Sequence, residues 1–197
     1  MSDSNIGGRK GKGCRDHIFV INGIIHHQLA KKVKKPLCIQ IYDYTQMFDS
    51  MSLEEAMNDL YDVGVQDDTL ALLYEANKSI KFSIKTPSGE LTEEQTLDSV
   101  VLQGDTWGPA LASNQVDTIG KECLDENKYL FMYKDCVPVG PLGMVDDLIG
   151  ITEAGYKAQE LNTFINLKTA DKKLQFGLDK CKVMLVGNKI ENFHKNN

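Results

Sequence analysis

Apolar positions along this chain repeat with two different periods, and the switches between them mark its elements. Between Asp16 and Lys32, Ile18, Phe19, Ile21, Ile25 and Leu29 recur at helical spacing and predict an amphipathic helix with those side chains inward. The run Pro36-Leu-Cys-Ile-Gln-Ile-Tyr-Asp-Tyr44 is nearly continuous in apolar character, which predicts a buried strand ending in Asp43. Ser52 with Glu55 makes a capping-box pattern ahead of a helix through Tyr61. Asp67 and Asp68 open another helix that reaches about residue 78, where N-capping and the helix dipole account for both carboxylates.

Beyond that helix, Ile80-Lys-Phe-Ser-Ile-Lys-Thr86 alternates with period two, and Pro87-Ser-Gly89 precedes a second polar strand. Residues 79–100 are therefore expected to form a hairpin. Leu102-Gln-Gly-Asp-Thr-Trp-Gly-Pro109 places a tight turn before a helix of residues 107–121, with Pro109 in its tolerant first turn. Strand is expected from Tyr129 to Tyr133 and on both sides of Asp146-Asp147, helix from Glu153 to Leu167, and a turn bearing Lys180 before a last strand. Strands and helices interspersed with hairpins predict an α+β fold, an antiparallel sheet with helices packed on one face.

Asp146-Asp147 changes the picture from fold to chemistry. Burying two carboxylates between apolar flanks costs several kcal/mol each unless a cation compensates them, so the hairpin that carries them is expected to deliver them to a metal. Asp43 supplies a third carboxylate at a strand end. Such a set suits two Mg²⁺ ions about 4 Å apart, with Mn²⁺ as a substitute, activating a hydroxyl for in-line phosphoryl transfer. His26-His27 has no third ligand at a useful spacing.

Composition narrows the class. The chain has 197 residues, 42% hydrophobic and 25% charged, values of a globular domain. No apolar stretch approaches the ~20 residues of a membrane span, and the start lacks a secretory core, so an intracellular protein without a membrane partner is expected. Five scattered cysteines form no C-x-x-C pair and are read as reduced thiols. The net charge of −6 hides an asymmetry, since residues 1–36 hold eight Lys or Arg against two Asp. That arm can attract phosphates toward an acidic, metal-binding body. Residues 7–15 form a basic loop without P-loop spacing.

Taken in order, these segments resemble the reverse transcriptase domain of non-LTR, LINE-type retrotransposons. Asp43-Tyr-Thr-Gln-Met-Phe-Asp-Ser-Met51 is similar to the first palm motif, Gln103-Gly-Asp-Thr-Trp-Gly-Pro109 to the Gln-Gly-x-x-x-Ser-Pro motif, Met144-Val-Asp-Asp147 to the aromatic-Ala-Asp-Asp turn, and Gly177-Leu-Asp-Lys-Cys-Lys182 to the lysine motif. The resemblance covers about residues 7–187. It departs at Gly108, which stands for the usual Ser, at Trp107, and at Met144-Val145.

The resemblance implies a polymerase palm with partial fingers. Residues 1–36 would be the fingers segment, 37–187 the palm with the 79–100 hairpin inserted, and 188–197 a tail. Asp43 and Asp146 would hold the metals with Asp147 assisting. Phe48 would sit under the sugar and reject a 2′-hydroxyl, Gln103, Gly104 and Pro109 would line the nucleotide and template, and Lys180 would approach the triphosphate as cation or proton donor. The implied activity is RNA-directed DNA polymerisation on a primed RNA or DNA template with dNTPs as substrate. The alternative is an inactive, truncated element remnant, because relative to that family the rest of the fingers, the thumb and an endonuclease are not in this sequence. A phospho-accepting receiver is disfavoured, since its acidic pair would close the first strand. Nucleus and cytoplasm stay open, with Lys31-Lys-Val-Lys-Lys35 either an import signal or a basic helix end.

Overall fold

The computed structural model describes residues 5–30, 36–98, 101, 104, 106–126 and 130–187. Its elements run α1 (Cys14–Ala30), β1 (Leu37–Tyr42), α2 (Met47–Ser50), α3 (Leu53–Asp62), α4 (Asp67–Asn77), β2 (Ser79–Phe82), β3 (Gln95–Asp98), α5 (Gly108–Glu126), β4 (Phe131–Tyr133), β5 (Val137–Val139), β6 (Leu142–Met144), β7 (Asp147–Glu153), α6 (Tyr156–Asp171) and β8 (Lys182–Val186). Gln103 and Lys31 to Lys35, singled out above, lie outside the described residues.

β1 is apolar almost throughout because both of its faces are covered. It occupies an inner position in a four-stranded sheet of order β6-β7-β1-β8, antiparallel at every pairing. On one face Tyr42 and Leu148 join Leu161 and Ile165 of α6 and Leu111, Val116 and Ile119 of α5 in the main core, which extends to Leu53 and Ala56 of α3. Gln40 stands on this face as well. Its amide donates to the Ala158 carbonyl at 2.9 Å and accepts from the Tyr42 hydroxyl at 3.0 Å, so the polar interruption of the strand is satisfied.

On the opposite face Leu37, Ile39 and Ile151 pack with Ile24 of α1 and Phe131 of β4. The expected mixed fold of antiparallel sheet and packed helices is what the chain adopts, with a second, smaller cover on the far end of the other face. Toward Asp43 that cover ends, and Ile41 is 38% exposed.

The orientation of α1 differs from its helical pattern. Ile21 and Ile25 are half-buried against the Leu37–Ile39–Ile151 cluster as expected, but Ile18, Phe19 and Leu29 are 55%, 80% and 43% exposed, while His17, Ile24 and Gln28 are buried. The stripe is rotated by one residue, about 100° on a helix. Both stripes contain apolar residues, and Ile24 wins because it enters the Leu37–Ile39–Ile151 cluster. Other boundaries shift modestly. β7 continues to Glu153, so α6 starts after Gly155 rather than at Glu153, and Gln66, not an aspartate, occupies the N-cap of α4. Ser52 does cap α3, accepting from the Glu55 amide. The 79–98 hairpin pairs β2 with β3 and closes through a Lys85–Leu91 bridge around Pro87-Ser-Gly89.

Candidate active site

Antiparallel pairing brings the three chemistry-bearing segments to one end of the sheet. β1 and β7 pair Tyr42 with Leu148, so the next step of that register sets Asp43 level with Asp147. β1 and β8 pair Ile41 with Lys182, and the same register continued sets Asp43 level with Lys180. Asp43 stands between them at the end of the central strand. The side chains alternate so that Asp43 points away from the α5–α6 face, opposite to Tyr42.

The Lys180 turn is tied to Asp43 through the main chain. The Gly177 amide donates to the Asp43 carbonyl at 2.9 Å, the Thr45 amide donates to the Gln175 carbonyl at 2.8 Å, and the Lys180 and Cys181 amides close the turn onto the Gly177 carbonyl. Phe176 stacks against Tyr42 and Tyr44, with ring centroids 5.1 and 4.6 Å apart. This anchoring brings Lys180 Nζ to 3.2 Å from Asp43 Oδ1. The Asp43 carboxylate raises the Lys180 pKa above the ordinary lysine value, with Asp179 and Asp146 adding to the effect.

The acidic hairpin turns through Val145 and Asp146 between β6 and β7. Val145 has φ 59, the left-handed region that a β-branched residue enters only under strain. The pair is not buried between its apolar flanks as expected: Asp146 is half-buried and Asp147 exposed, because the turn carries both out at the sheet end. Partial desolvation, and then the negative charges of Asp146 and Asp43, hold the Asp147 carboxyl above the usual range. Three carboxylates therefore feel one another at this end of the sheet. The donor set is oxygen only, as a hard divalent cation requires, and the cation at Asp43 Oδ1 is the Lys180 ammonium, which an incoming ion would have to displace or share. These residues fit such an ion. Among the described residues no three His, Cys, Asp or Glu side chains already converge as a cage.

The remaining expected site residues are placed as follows. Phe48 lies on α2, half-buried, and packs on the main core together with Val145. Gly104 is exposed with φ 94, a conformation that glycine adopts without penalty. Pro109 is exposed in the first turn of α5, as its missing N–H allows. Trp107, just before it, is 50% exposed, and its carbonyl accepts from the Leu111 amide at 3.0 Å. All five cysteines are free.

Sequence reasoning missed the contacts that brace the hairpin from the N-terminal side. Asn5 forms a parallel bridge with Gly143, and the Ile6 amide donates to the Gly143 carbonyl at 3.0 Å. Cys14 Sγ rests 3.0 Å from Met144 Sδ. The only local sign was Gly7-Gly8 at the head of the basic loop, which carries no information about its partner.

The comparisons with known proteins agree with this geometry. No curated protein sequence matches the chain significantly. Among solved structures, apo telomerase from Candida tropicalis truncated from its C-terminal domain superposes with a TM-score of 0.65 at 12% identity, over 92% of this chain and 36% of that one. Telomerase from Candida albicans in complex with a TWJ fragment of telomeric RNA gives 0.64 at 14% identity, over 90% of this chain and 31% of that one. The chain thus spans about a third of the length of these proteins, and the likeness is one of fold. A family model described as reverse transcriptase (RNA-dependent DNA polymerase) matches residues 1–194. With nearly the whole sequence matched, and with the acidic hairpin, the strand-end aspartate and the lysine turn assembled at one end of an antiparallel sheet, the chain belongs to the reverse transcriptase family.

Proposed function

We propose that this chain is the palm, with adjoining fingers, of a non-LTR, LINE-type reverse transcriptase that adds dNTPs to a primer 3′-hydroxyl on an RNA template. The observation that carries the reading is the gathering of Asp43, Asp147 and Lys180 at the ends of three adjacent strands, beside the Asp146 turn, with Lys180 Nζ 3.2 Å from Asp43 Oδ1. The finer family assignment rests on the motif residues Asp43 to Met51 and Gly177 to Lys182.

Asp43 and Asp146 would hold two Mg²⁺ ions, with Asp147 completing the set. Bound there, such ions supply an activated 3′-hydroxyl and charge neutralisation at the transferring phosphorus. Asp147, with its raised pKa, ionises less readily than an isolated carboxylate, so a cation at this point would relieve its neighbours' repulsion. Lys180 carries a proton firmly and stands beside Asp43, where it is suited to donate to the departing diphosphate. Phe48 would exclude a 2′-hydroxyl sterically, and Gly104, Pro109 and Gln103 would border the nascent pair. The basic segment with Arg9, Lys10 and Lys12 adds attraction for phosphates.

A second reading, a chain that folds and binds metal or nucleic acid without polymerising, draws on one observation. Lys180 already serves Asp43 as its cation. The test is Mg²⁺- or Mn²⁺-dependent dNTP incorporation on an oligo(dT)-primed poly(rA) template, with Asp146→Asn beside the parent. Extension lost in the variant supports the polymerase. A folded parent that binds Mn²⁺ yet extends nothing supports the second reading.

A further inference from the structure

Gly7 sits against the strained hairpin more closely than any side chain would allow. A Cβ built on Gly7 would lie 2.4 Å from the Val145 backbone nitrogen, 2.9 Å from Val145 Cγ2 and 3.0 Å from Ser113 Oγ. The first of these is a backbone atom and cannot swing aside. Gly7 is itself located by Asn5, which is 1% exposed: the Asn5 side chain accepts from the Gly7 amide at 3.0 Å and donates to the Ser113 carbonyl of α5 at 2.8 Å. Asn5 and Ile6 at the same time extend the sheet along β6 at Gly143. The segment Asn5-Ile6-Gly7 is a strap between α5 and the turn of Val145 and Asp146.

A β-branched residue at positive φ persists only where its surroundings over-determine it. Two sides of Val145 are accounted for by the main core and by its own hairpin. The strap adds a further contact, with Gly7 against the Val145 amide nitrogen and Cγ2, and Val145 is left half-buried. We infer that Gly7, with Asn5 behind it, is a positioning residue that acts through Val145 to hold Asp146 and Asp147 where they bind metal. The inference rests on the two-metal reading above, and it adds a role for residues outside the motifs. It also explains why the basic loop starts at this point: Gly8, with φ 68, turns the chain away immediately after the close contact.

Two alanine variants from the same loop separate this from a general demand for glycine. Gly7→Ala drives its methyl into the Val145 backbone, whereas a Cβ at Gly13 meets nothing within 4 Å. Misplacing a catalytic group by about 1 Å costs on the order of 10²-fold in turnover, and losing support behind a metal ligand costs about 10- to 100-fold in metal affinity. Mn²⁺ binding by the folded chain, read as loss of the free-ion signal in electron paramagnetic resonance, is the primary measurement because it needs no turnover. The expected result is Gly13→Ala equal to the parent and Gly7→Ala weaker by about tenfold or more. Val145→Gly removes the Cγ2 contact and frees the backbone at this position to yield to the new methyl, so Gly7→Ala made in that background is expected to lose less Mn²⁺ affinity than it loses alone.

Equal Mn²⁺ affinity in Gly7→Ala and the parent overturns the inference while leaving the two-metal reading intact. A folded parent that binds no Mn²⁺ overturns that reading and the inference with it. If Gly7→Ala lacks a cooperative melt, Asn5→Ala takes its place, since it removes the side chain that ties Gly7 to Ser113 without adding volume or charge. Weaker Mn²⁺ binding by a variant that still melts cooperatively then supports the inference, and unchanged binding overturns it.

Discussion

Replacing Lys172 with Met isolates a carboxylate that the fold has taken out of water. Asp59 on α3 is 6% exposed, and the Lys172 ammonium at the end of α6 donates to both of its oxygens, at 2.6 and 2.7 Å. Without that cation the Asp59 charge has no partner, and removing one member of a buried pair costs about 3–5 kcal/mol. For a chain of this size that corresponds to a fall in Tm of about 6–20 °C. The pH dependence has a definite sign. Burial already raises the Asp59 pKa above its unfolded value, with Lys172 opposing the rise and Asp62 and Glu55 adding to it. A carboxyl whose folded pKa is raised binds its proton more tightly when folded, so stability falls as pH rises from the unfolded to the folded value. Lys172→Met removes the opposing influence and moves the upper limit of that window higher. The deficit in urea-unfolding free energy is therefore expected to be largest near pH 7 and to shrink on acidification toward pH 5. Asp59→Leu combined with Lys172→Met is expected to recover most of the loss, because a well-packed apolar pair replaces a buried ionic one at little cost. A single variant within 1 kcal/mol of the parent at pH 7, or a double variant no more stable than the single, would refute this account of the pair.

Asp146→Asn is expected to abolish Mn²⁺ stabilisation and dNTP incorporation while raising the Tm of the metal-free chain slightly, because one source of repulsion on Asp147 is removed; a metal-free variant that melts below the parent contradicts the electrostatic argument. Phe48→Val is expected to raise rNTP relative to dNTP incorporation, and an unchanged ratio would return Phe48 to ordinary core packing. In α1, Ile24→Ala is expected to cost about 2–5 kcal/mol in urea unfolding, whereas Phe19→Ala, at an 80% exposed position, stays within about 0.5 kcal/mol. The reverse order would mean that the helix packs by its other stripe.

Much of this protein was legible along the chain wherever the deciding interactions lie within a few residues. The apolar run from Pro36 announced a buried strand, Ser52 with Glu55 announced a capped helix start, and Pro87-Ser-Gly89 announced the hairpin, since each depends on local periodicity or turn chemistry. The candidate chemistry was legible for a related reason. Asp43, Asp146, Asp147 and Lys180 stand at element ends marked by their own flanking residues. Tertiary structure decided what depends on partners far apart in sequence. Strand register set Asp43 level with both Asp147 and Lys180. Contact with Ile39 and Ile151 selected Ile24 over Phe19, although the helical pattern allowed either stripe. Asp59 met Lys172 across 113 positions, and Gly7 met Val145 across the hairpin. The physical reason is the same in each case: a period or a cap is an energy difference among conformations of one segment, whereas a register, a buried ion pair or a close backbone approach exists only once two segments share the same space.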